Sequence, residues 1–61
     1  MDKYREAYRS YLRMIELDVE EGKDQEEAQL HWWLMLEGII SVAQTDMELT
    51  REEWNEILSW R

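Results

Sequence analysis

Apolar residues recur every three or four positions along almost the whole chain, and no segment alternates with period two. That spacing places side chains on one stripe of a helix and leaves no half-buried strand, so the expected class is all-α. From Lys3 to Glu21 the stripe holds Tyr4, Tyr8, Tyr11, Leu12, Ile15 and Val19, with Ala7 and Met14 beside it. Gly22 stands where a helix ends on a left-handed residue. Asp24, with Glu27 three places on, reads as an N-cap with a D-x-x-E capping box. A second helix then runs from Gln25 to about Gln44, and Gly22-Lys23-Asp24 is the tight turn of an antiparallel hairpin. Thr50-Arg51-Glu52-Glu53 is a second capping box, with Leu49 and Trp54 spaced for a hydrophobic staple. It opens a short third helix, about Arg51 to Trp60, whose apolar face is Trp54, Ile57 and Leu58.

The second helix is apolar around much of its circumference. Its main stripe is Ala28, Trp32, Met35, Leu36, Ile39, Val42 and Ala43, widened by Trp33 and Ile40. Leu30 and Leu34 fall on the far side, with Glu37 and Ser41, and Gly38 offers a place for a neighbouring helix to approach. One long helix and one short one do not wrap such a surface. Sixty-one residues bury only about 60% of the surface the unfolded chain exposes. Two arrangements answer this. In one, paired hairpins form a homodimer with a four-helix core. In the other, a monomer presents its exposed Trp and Leu residues as a binding patch.

Charge narrows the function classes. Fifteen Asp and Glu oppose seven Lys and Arg, a net charge of −8. DNA, RNA and anionic membranes all require a cationic footprint, so direct binding to any of them is disfavoured. The imbalance is local: between Glu16 and Glu27 stand Glu16, Asp18, Glu20, Glu21, Asp24, Glu26 and Glu27 with only Lys23 among them. Glu16, Asp18, Glu20 and Glu21 crowd the C-terminal end of the first helix, where the macrodipole favours cations, and Lys3 and Arg5 sit at its N-terminal end, where it favours anions. Each misplacement costs about 0.3–1 kcal/mol at low salt. Departures from local rules concentrate at functional sites. Against this stands the plain alternative of a solvated surface laced by i,i+3 pairs, Asp2 with Arg5, Glu6 with Arg9 and Arg13 with Glu16.

Catalytic equipment is missing from the sequence. There is no Cys, and the single His31, four residues after Glu27, reads as a boundary residue bonded to that carboxylate. One His and one Glu fall short of a metal's three or four ligands. The run Asp18-Val19-Glu20-Glu21-Gly22-Lys23 has its Gly one place too early for an EF-hand. A carboxylate pair such as Glu20 and Glu21 would need a sugar cleft that a chain this short has no room to build. No nucleophile lies in a triad context, and there is no Gly-rich phosphate loop. No metal, cofactor or enzymatic activity is therefore expected.

The opening residues lack an apolar signal region, and the stretch from Leu30 to Val42 is broken by Glu37, Gly38 and Ser41, too short and polar for a bilayer. A soluble cytoplasmic protein is the expectation. The expected function is docking on a basic surface of another protein, typically one that binds nucleic acid. Glu16, Glu20, Glu21, Asp24, Glu26 and Glu27 would form the charged face, and Trp33 or Trp60 the apolar contact. The alternative is a structural or regulatory helical module that associates with itself, its acid serving only solubility. In size, acidity and lack of catalytic residues the whole chain resembles small phage-encoded inhibitors of the anti-CRISPR and DNA-mimic kind. That resemblance is one of gross character and not of motif. It implies a nuclease or its guide complex as partner and a bacterial host cytoplasm as location.

Overall fold

The computed structural model describes residues 1–61. Three helices follow one another, α1 (Asp2–Glu20), α2 (Gln25–Gln44) and α3 (Arg51–Leu58), and no strand is present. α1 and α2 form the antiparallel hairpin and α3 folds back along it, giving an elongated body of 40 × 17 × 15 Å. No helix is long and apolar enough to cross a membrane.

Local chemistry sets the helix ends. Gly22 has φ +106°. The Gly22 amide donates to the Val19 carbonyl at 3.0 Å and the Lys23 amide to that of Asp18 at 3.1 Å, the paired bonds of a Schellman ending. Asp24 caps α2 by accepting from the Glu27 amide at 2.9 Å. The full reciprocal box forms at α3, where Thr50 and Glu53 each bond the other's backbone. α3 stops at Leu58, two residues short of the expected Trp60, because its last turn tightens: Trp60 and Arg61 donate to carbonyls only three residues back.

The two glycines carry opposite expectations. A Cβ at Gly22 would meet no atom within 4 Å, so Gly22→Ala should cost only the backbone penalty of a positive φ, about 1–2 kcal/mol. Gly38 lies inside α2, and a Cβ there also meets nothing within 4 Å, so no neighbouring helix uses it for close approach as the sequence had invited. Gly38→Ala should therefore stabilise the fold by about 1 kcal/mol through helix propensity alone. Urea unfolding followed by circular dichroism separates these opposite signs.

The core consists of Tyr4, Tyr11 and Ile15 from α1, Ala28, Leu36, Ile40 and Ala43 from α2, and Ile57 from α3. Two details depart from the periodicity. Val42, expected on the main stripe, is 59% exposed, whereas Ile40, expected only at its margin, is 1% exposed. The cause is α3. Ile57 is fully buried, and Arg61 beyond the helix reaches Glu37 of α2 at 2.7 Å. α3 thus covers the Glu37–Ile40 flank of α2 and leaves the Val42 flank bare.

Long-range polar contacts fix α3 and its connection against α1. Arg5 makes a bidentate pair with Glu56 at 2.8 and 2.9 Å. The Tyr4 hydroxyl donates to Asp46 at 2.6 Å, and Lys3 lies 3.6 Å from the same carboxylate. That bond, with burial, pushes the Tyr4 pKa up to about 12. Trp60 lies flat on Tyr8, ring centroids 4.4 Å apart and planes within 4°. The cations that sit awkwardly at the start of α1 therefore have tertiary acidic partners. Of the expected i,i+3 pairs, Asp2–Arg5 and Arg13–Glu16 form and Glu6–Arg9 does not.

Candidate protein-binding site at the hairpin tip

The turn that ends α1 also organises its carboxylates. A Schellman ending brings the second residue past the C-cap over the last helical turn. Here that residue is Lys23, and its ammonium lies 3.4 Å from Asp18. Asp18 is 8% exposed and turns into the hairpin, where the Trp32 indole N–H donates to it at 2.8 Å. His31 Nδ1 lies 3.3 Å from the same oxygen and 2.9 Å from Lys23 Nζ. In the neutral imidazole Nδ1 accepts from Lys23, which is only a donor, and the ring proton sits on Nε2; in the protonated ring Nδ1–H faces the Asp18 carboxylate. The His31 ring stacks on Trp32 with centroids 5.0 Å apart. His31 thus addresses Lys23 and Asp18, where the sequence had paired it with Glu27.

Burial alone would raise the Asp18 pKa. The hydrogen bonds from Trp32 and Lys23 and the nearby charges of Lys23 and His31 together outweigh it and hold the carboxyl below the usual range. Asp18 is therefore a latch between α1 and α2 and not part of the outward-facing charge, although sequence reasoning counted it in the acidic run.

The other six carboxylates of that run behave differently. Glu16, Glu20, Glu21, Asp24, Glu26 and Glu27 are all exposed. Arg13 pairs with Glu16 at 3.0 Å. Glu20, Glu21, Asp24, Glu26 and Glu27 make no ion pair, because Lys23 is engaged by Asp18. Asp24 also serves as the α2 cap, so its side chain has a structural duty beside any other.

The two candidate tryptophans separate. Trp33 is about half exposed, on the outer face of α2 with Leu30 and Leu34. Trp60 packs against the core by its stack on Tyr8, about two turns of α1 short of Glu16. It does not join the charged tip. Sequence reasoning missed Leu12 and Val19, assigned to the core but 45% and 39% exposed, and also Gln25 and Gln29. These four line one furrow with Ile15, Glu16 and Glu20. The available signal was the shortness of the third apolar segment, too brief to cover both ends of the hairpin. No group of three or more His, Asp or Glu side chains converges on a point that could hold a metal ion.

Comparison with family models, curated proteins and solved structures finds no match to this chain.

Proposed function

We propose that the chain is a non-enzymatic, acidic protein-binding inhibitor that covers a basic, nucleic-acid-binding surface of its partner, as anti-CRISPR and DNA-mimic proteins do. One observation carries this reading: five carboxylates at the hairpin tip lack cationic partners, while the single local lysine is held on the buried Asp18. Stability alone favours cations at the end of α1 and gains nothing from Glu20 and Glu21. A partner's basic groove gives those charges a counterpart, speeds encounter at low salt and is closed to nucleic acid once occupied.

The test is a variant with Glu20→Lys, Glu21→Lys, Glu26→Gln, Glu27→Gln and Asp24→Asn. Lysines at the end of α1 suit the dipole and Asn keeps the α2 cap, so helicity should be retained. Proteins captured from a bacterial lysate are assayed for displacement of a labelled duplex by the wild-type chain. The variant should displace it about tenfold less well or worse at low salt. Equal displacement by a folded variant would refute the reading.

A second reading has its own observation. Leu30, Trp33 and Leu34 form an exposed apolar strip on α2, which favours self-association. Sedimentation equilibrium of the wild type and of Leu30→Lys/Leu34→Lys decides it: a dimer that the double substitution splits would support a self-assembling module.

A further inference from the structure

The short α3 occupies half of a furrow. Between α1 and α2, on one flank of the hairpin, Ile57 is fully buried, Trp60 covers Tyr8, and the walls are bridged by Glu56 to Arg5 and Arg61 to Glu37. Towards the tip the same flank continues as an open furrow over Leu12, Ile15 and Val19. On α1, Leu12 and Val19 follow Arg5 by seven and fourteen residues, and Glu16 follows it by eleven, so they share its stripe. On α2, Gln25 and Gln29 face them, and Trp33 stands four residues before Glu37 and seven before Ile40. From Gln25 to Glu37 the open half is about 18 Å long, the length of a three-turn helix.

We propose that this open half receives an amphipathic, basic α-helix of the partner protein. The inference rests on the acidic-docking reading and names what docks: one helix, laid in line with α3. An apolar stripe at i, i+3, i+4, i+7 would seat on Leu12, Ile15 and Val19, with flanking Lys or Arg against Glu16 and Glu20. The chain's own α3 already displays this mode, with a buried isoleucine between two wall-bridging ion pairs. Charge decides the sign of the guest. Glu16 on the wall keeps Arg13 as its partner, but Glu20 on the same wall and Glu21, Asp24, Glu26 and Glu27 at the tip have no cation, so an acidic or neutral helix leaves these five facing like charge or nothing. A second copy of this chain, itself at −8, meets the same repulsion.

The probe is a synthetic peptide of about 14 residues, Leu at the stripe positions and Lys elsewhere, with a scrambled peptide of identical composition as control. Binding to the full chain is read by fluorescence anisotropy at low and high salt, and fold integrity by circular dichroism. The amphipathic peptide should bind at least tenfold more tightly than the scrambled one. Leu12→Ser/Val19→Ser should weaken it about tenfold with helicity unchanged, and Glu16→Gln/Glu20→Gln should weaken it several-fold and flatten the salt dependence. Indifference to Leu12→Ser/Val19→Ser in a folded variant would overturn the furrow as the seat. Equal binding of both peptides, each weakened by Glu16→Gln/Glu20→Gln, would overturn the helix proposal and leave acidic docking standing. Binding of neither peptide would overturn both.

Discussion

Truncation of Ile40 to alanine is expected to remove most of the folding free energy of this protein. Ile40 is 1% exposed and belongs to the one core cluster to which all three helices contribute. Removing a buried isoleucine side chain down to Cβ costs about 2–5 kcal/mol, the loss of transfer energy plus a cavity that the neighbours only partly close. At the usual 0.05–0.15 kcal/mol per residue, a chain of this size has about 3–9 kcal/mol in total. Ile57→Ala should act similarly, because Ile57 is the only fully buried side chain that α3 contributes. The informative control is Val42→Ala. Periodicity placed Val42 on the core stripe, yet its exposure and the better helix propensity of alanine predict a change within about 0.5 kcal/mol, neutral or stabilising. Urea unfolding of the three variants measures the contrast. A loss at Val42 as large as that at Ile40 would contradict the packing of α3 on the Glu37–Ile40 flank.

Acid should unlock the hairpin end through Asp18. Its folded-state pKa is depressed, so its contribution is fully present above the unfolded value of about 4 and is lost as pH falls through the lower folded value. Stability should therefore change little on this account between pH 7 and 5 and fall below about pH 4. Asp46, Glu37, Glu53 and Glu56 are depressed as well, first by hydrogen bonds from Tyr4, from Arg61, from the Thr50 backbone and from Arg5 respectively. They act in the same window, so the share of Asp18 must be isolated by difference. Asp18→Asn leaves Trp32 an acceptor and removes the charge that Lys23 and His31 face. The stability gap between wild type and Asp18→Asn should be widest at neutral pH and close as pH falls. A gap that persists undiminished at pH 2 would mean that the Asp18 contribution does not depend on its charge. Asp18→Ala should be worse than Asp18→Asn at pH 7, since it also strips the indole N–H of its acceptor.

The same residue shows where reading a charge pattern along a chain reaches its limit. Asp18 and Glu20 are two positions apart in one acidic run, and nothing in composition distinguishes them. Their fates differ because a helix turns through about 200° over two residues. Asp18 faces Trp32 of α2 and Lys23 of the turn, and Glu20 faces water. Trp60 offers a parallel case. A tryptophan at the end of an amphipathic segment suits an intermolecular anchor, but the fold-back of α3 lays it on Tyr8.

The helices, their order, the glycine-ended turn, both N-caps and the exposure of the acidic tip were determined by sequence alone. Each depends on interactions within a few residues: periodicity, a positive φ, a side chain bonding an amide three positions on. Tertiary structure alone decided which flank of α2 is buried, where His31 points, and that the cations opening α1 have acidic partners. It also decided that Leu12 and Val19 stay at the surface. His31 is directed by Lys23 and Asp18 across the hairpin, and the other outcomes depend on the side along which eight residues of α3 return and on how far they reach. Contacts between residues tens of positions apart leave no local periodic trace, so only the assembled packing contains them.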